Sequence, residues 1–98
     1  MYVNGEGAIA AGRSQLGYNE RPGNRTKFGE WYGMNGVAWC AIFVSWCFAS
    51  AGTPLAISTS RGYSLVQAAT DWAKRNGLWR PAHTVPQRGW IGQMRIPG

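Results

Sequence analysis

Acidic residues and histidine are scarce in this chain, with four carboxylates and one histidine among 98 residues. Ten lysines and arginines give a formal charge of +6. One histidine and two cysteines match no zinc-binding spacing, and the lone Glu30 does not make a calcium loop, which needs several oxygen ligands. No cofactor is expected. Long apolar runs are also missing. Val37 to Phe48, interrupted by Ser45, is the longest and is far too short to span a bilayer, so no membrane span is expected. Met1 to Glu6 has neither a basic n-region nor an apolar h-region, so it does not read as a signal peptide, and a cytoplasmic location in the producing cell is expected. The basic residues are scattered, without a run of like charge and without a zinc-finger or helix-turn-helix pattern. Dedicated nucleic-acid recognition is therefore disfavoured, although the positive balance suits polyanionic surroundings.

What is present is aromatic and glycine-rich: six tryptophans, four tyrosines, three phenylalanines and fourteen glycines. The length allows one small domain, 1–98, with a modest core in which each aromatic ring counts. Three helices are predicted within 5–77. Gly5 to Leu16 places Ala8, Ile9, Gly12 and Leu16 on one face, and Gly17 follows as a stop. Ala38 to Ala51 is apolar on nearly every side, which marks a central helix, and Gly52 and Pro54 end it. Ser64 to Asn76 carries a capping-box pattern in Ser64 and Gln67, basic Lys74 and Arg75 near its end, and an Asn76-Gly77 stop. Tyr18 to Gly36 and Thr53 to Tyr63 read as loops, the first with a strong turn signal at Arg21-Pro22-Gly23-Asn24 and with Phe28, Trp31 and Tyr32 as anchors or cleft walls. From 78 to 98 the chain reads as an irregular tail, with Trp90-Ile91 and Met94-Arg95-Ile96 as short extended pieces.

The most informative position is Cys40, where the glycine-bearing Gly36-Val37-Ala38 gives way to the apolar helix. A thiol at a helix N-terminus lies in the field of unpaired backbone N–H groups, which favours the thiolate, the nucleophilic form in cysteine hydrolases. Cys47 lies seven residues on, about 10 Å along the same helix axis. A disulfide needs Cα atoms within about 7 Å, so both cysteines are expected to be free.

Lys27-Phe28-Gly29-Glu30-Trp31-Tyr32-Gly33, followed by Trp39-Cys40-Ala41 and Phe43-Val44-Ser45-Trp46, resembles the CHAP family of cysteine, histidine-dependent amidohydrolases/peptidases of bacterial and phage cell-wall lysis. Gly17-Tyr18, Glu20 and Ala51-Gly52 extend the resemblance, and a weaker match runs through Asp71-Trp72-Ala73-Lys74 to Pro86. The resemblance implies a papain-like α+β fold whose helix packs on an antiparallel sheet. It also implies Cys40 as the nucleophile on an amide of peptidoglycan, action at the cell wall after release from a phage-infected cell, and a core role for Cys47. Tyr32, shortly upstream, is a candidate for holding the oxyanion, since a phenol O–H can donate to developing negative charge.

The sequence departs from the family where the turn leading into the histidine-bearing strands is expected. That stretch reads Pro86-Gln87-Arg88-Gly89-Trp90, so the sheet half is expected to be reduced or missing. His83 is the one imidazole available as general base, and it precedes the expected sheet. The expectation is little lytic activity from this chain alone. A fragment, a split enzyme completed by a second chain, and a non-catalytic phage module binding wall polymer or a protein partner all remain open at this stage.

Overall fold

In a computed structural model, residues 3–81 and 83–93 are described. They form four helices: α1 (Gly5–Arg13), α2 (Lys27–Tyr32), α3 (Cys40–Ser50) and α4 (Val66–Arg75). Among the described residues, β-structure is limited to two isolated bridges, Arg21 with Arg25 and Thr59 with Gly62. The expected piece at Met94-Arg95-Ile96 lies outside the described residues, and Trp90-Ile91 is irregular.

The apolar helix α3 is the hub on which α1 and α2 both pack. Asn4 caps α1 by accepting from the Gly7 N–H at 2.9 Å, and its own N–H donates to Thr53 Oγ1 at 2.9 Å. The start of α1 is thereby tied to the segment that follows α3. Ala8 then buries against a cluster containing Ala41, Cys47, Phe48 and Leu55. Helix α1 stops at Arg13, earlier than its apolar spacing predicts, and Leu16 is 84% exposed. The Ser14 hydroxyl donates to the Ala11 carbonyl at 2.6 Å and the chain tightens into i→i+3 turns, which satisfies the helix end before the last apolar position is reached.

Helix α2 forms inside the stretch that reads as loop. Thr26, fully buried, accepts from the Gly29 N–H at 2.9 Å, and Gly33 closes the helix with φ 95°. The Asn35 side-chain oxygen accepts from the N–H groups of Thr26 (3.0 Å) and Gly36 (3.2 Å), fastening the following turn back to the cap. Gly29 is required there, because a Cβ would lie 2.8 Å from the Met34 carbonyl oxygen. Six residues are too few to show helical periodicity, and tertiary burial of Phe28 supplies the stability. Phe28 stacks with Trp39 and meets Tyr18, Phe43 and Trp46 edge-on. Such burial of a phenylalanine is worth about 1.5–3 kcal/mol relative to exposure.

Helix α4 begins at Val66 with Leu65 as N-cap and no side-chain cap hydrogen bond, so the Ser64–Gln67 capping box does not form. Gln67 sits one position too early to reach back and instead donates to Asp71 at 2.9 Å along the helix. Asn76 and Gly77 do terminate α4, with the Asn76 amide donating to the Trp72 carbonyl at 2.7 Å. The following segment returns across the molecule. Arg88 pairs with Glu6, Gly89 rests against Gly5, and Gln93 reaches Thr70 and Val66 on α4.

Two substitutions test this packing. Gly12 faces Cys47 and Phe43 with room for a methyl group, a Cβ falling 3.5 Å from Cys47 Sγ, so Gly12→Ala should stabilise the chain by about 0.5–1 kcal/mol in denaturant unfolding. Ser45→Ala leaves the buried Tyr63 N–H without its acceptor and should cost about 1–3 kcal/mol in the same measurement.

Candidate active site

Cys40 is the first residue of α3 and its side chain is exposed, whereas Cys47 is buried; neither forms a disulfide. Trp39 occupies the N-cap position and no side chain caps this end. The first backbone N–H groups of the helix have no intrahelical acceptor, so they present donors to whatever lies beside the thiol. Cys47, on the face turned to α1, has its thiol pushed up by burial. The two thiols of one helix thus have opposite surroundings, with the accessible one at the donor-rich end.

Tyr63 packs in the cluster that holds Ala41, the residue after Cys40. Its side chain is 2% exposed, and its backbone is held by Ser45, which is fully buried at the centre of α3. The Tyr63 N–H donates to Ser45 Oγ at 3.0 Å, and the Ser45 hydroxyl proton is shared between the carbonyls of Ala41 (2.9 Å) and Tyr63 (3.0 Å). Gly62, at φ 143°, lies directly over Ser45, where a Cβ would overlap the serine side chain. This close approach draws the 57–63 turn onto α3. Burial first, and then the charge of nearby Cys40, push the Tyr63 phenol up to about 12. At neutral pH it is an O–H donor.

Tyr32, the last residue of α2, is buried with Phe28 and Ile42, and Trp31, Val37 and Trp39 pack around them. It therefore shares a cluster with residues on both sides of Cys40. The aromatic floor continues through Phe43 and Trp46, with the Lys27 ammonium over the rings of Tyr18, Phe28 and Trp46 at 5.1–5.8 Å. His83 is exposed in the segment after α4, and among the described residues no hydrogen bond joins it to Cys40. Tyr63 shares a cluster with Ala41 and Tyr32 shares one with Ile42 and Trp39, whereas His83 has no hydrogen bond to Cys40 among the described residues.

No family model matches the chain, and no curated protein or solved structure shows significant similarity to it. Among the described residues no three of His, Cys, Asp or Glu gather into a group able to hold a metal ion. Among the described residues no helix is long and apolar enough to cross a membrane.

Sequence reasoning missed Tyr63. It lies in Arg61-Gly62-Tyr63, a stretch without periodicity, and the signal that would have found it is the pairing of a helix-interior serine with a distant glycine, which only packing reveals. The raised Tyr63 phenol has a consequence for stability. The unfolded phenol ionises near pH 10 while the folded one stays protonated to about 12, so the stabilisation is full below pH 10 and falls as pH rises through about 12. Denaturant midpoints measured from pH 9 to 11 should fall more steeply for the wild type than for Tyr63→Phe; parallel slopes would contradict this placement of the phenol.

Proposed function

We propose that the chain is the nucleophile-bearing, helical part of a CHAP-type cysteine peptidoglycan hydrolase with a papain-like α+β fold, cleaving an amide bond of the bacterial cell wall through Cys40. The observation that carries this reading is an accessible cysteine at the uncapped first position of a buried apolar helix, in the Trp39-Cys40-Ala41 context of the family it resembles. In the reaction the Cys40 sulfur attacks the amide carbonyl carbon. The C–N bond breaks as the leaving nitrogen takes a proton from an imidazolium, and water then releases the acyl group from sulfur. The N-terminal N–H groups of α3 face the developing oxyanion, with a phenol O–H as a further donor. Tyr32 and Tyr63, which pack against residues of α3 on either side of its first turn, are the two candidates for that donor.

The base is the unfilled role. His83 is the chain's one imidazole, and no hydrogen bond places it on the thiol. The reading therefore expects a histidine from a second polypeptide segment. That vacancy also favours a second reading, a non-catalytic module that binds wall polymer or a protein partner through its basic and aromatic surface.

Chemical rescue separates the two. Purified chain incubated with peptidoglycan should release new amino termini slowly, and added imidazole should raise the rate at least about tenfold by standing in for the base. Cys40→Ala should remove all release, and Tyr63→Phe should reduce it by roughly 10²-fold. Peptide electrophiles should modify Cys40 in preference to Cys47. Wall binding without any Cys40-dependent release, with imidazole present, would refute the hydrolase and leave the binding module.

A further inference from the structure

We infer that the Arg21–Arg25 hairpin is an anion-binding subsite that receives the carboxylate or phosphate group of the molecule processed at Cys40, an inference that rests on the reading of Cys40 as nucleophile. Arg21 and Arg25 exchange both backbone hydrogen bonds, N–H to carbonyl at 2.8 and 3.3 Å, as a directly opposed antiparallel pair. Residues paired in this way project their side chains from the same face. The intervening Pro22-Gly23-Asn24 closes the turn with positive φ at Gly23 (75°) and Asn24 (59°), which holds the two arginines in register. Like charges directly opposed on one face destabilise a β pair. Here nothing offsets them: among the described residues the ion pair is Arg88 with Glu6, and neither Arg21 nor Arg25 has a carboxylate within ion-pair distance.

Both arginines line one open basin of about 800 Å³, together with Glu30, Asn35 and Gly36. The Asn35 oxygen is already taken by the N–H groups of Thr26 and Gly36, whereas its amide N–H groups have no hydrogen-bond acceptor among the described residues. Two guanidinium forks and an amide suit a planar carboxylate or a phosphate. Glu30 is the one carboxylate on the rim, and it opposes an incoming anion. Gly36 precedes Cys40 by four residues, so the basin edge and the nucleophile are at most roughly 14 Å apart. A short acidic peptide, or a phosphate-bearing polymer attached near the scissile amide, spans that distance. The arginine pair is thus a local conflict that a bound anion would resolve, the pattern expected where stability has been traded for binding.

The test is NMR titration of the whole chain, wild type and Cys40→Ala, following the arginine side-chain N–H signals and the Gly23 and Gly36 amides. The probes are N-acetyl-dialanine, its C-terminal amide, and glycerol phosphate. Saturable shifts with the acid and none with the amide assign the subsite to a peptide carboxylate, and saturation by glycerol phosphate alone assigns it to wall phosphate. In either case Arg21→Gln and Arg25→Gln should each weaken binding about fivefold or more, and Glu30→Gln should tighten it. Arg25→Thr should weaken binding while raising the unfolding midpoint, opposite signs that a merely structural arginine would not give. Absence of saturation by both anions, or unchanged binding in the double arginine variant, would overturn the subsite. Anion binding with no Cys40-dependent amide release would leave the subsite standing and overturn the hydrolase.

Discussion

The buried hydroxyl of Ser45 ties the turn at Tyr63 to helix α3. A serine inside an otherwise apolar helix must find partners, because an unsatisfied buried hydroxyl is costly. It finds them in its own helix, at Ala41, and in the backbone of Tyr63, eighteen residues away. That link draws the 57–63 turn onto α3, and the absence of a side chain at Gly62 lets the two backbones approach. The Tyr63 ring then closes over the core near the first turn of α3, where Cys40 lies. One polar atom in an apolar helix therefore joins core packing to the surroundings of the thiol.

The second constraint is aromatic. Helix α2 has only six residues and exists because Phe28 enters a cage made by Tyr18, Trp39, Phe43 and Trp46. Thr26 and Asn35 then use their side chains to satisfy the backbone at both ends of that short helix. The same cage steadies Trp39, the residue immediately before Cys40. The same cluster backs the start of α3, whose exposed face carries the Cys40 thiol and no side-chain cap. On the other side α1 covers Cys47, so the two cysteines of one helix are separated into an exposed position and a packing position.

The Arg21–Arg25 pair has the opposite energetic character. Ser45 and Phe28 are fully buried with their partners in place, whereas the arginines break the cross-strand charge rule in full view of solvent. Phe28 and the arginine pair lie on the segment that leads into Cys40. The segment before Cys40 thus carries a buried aromatic anchor and a pair of exposed, opposed arginines.

The helix α3, though expected to start at Ala38 rather than Cys40, the free state of both thiols and the Asn76-Gly77 stop were legible in the sequence, because each depends on local apolar density, on spacing along one helix or on a terminator residue. The end of α1 and the start of α4 were misplaced by two or three residues: Ser14 and Gln67 found other hydrogen-bond partners than their spacing suggests. Helix α2 was invisible to periodicity, although Thr26 marks its start. The neighbourhood of Cys40 was decided only in three dimensions, where Gly62 admits Tyr63 to the core through Ser45 and the segment bearing His83 runs without a hydrogen bond to the thiol. Local pattern dictates which segments coil and which residues they bury. Which distant side chains meet at a helix end depends on long-range packing, and one sequence read in order carries no signal of it.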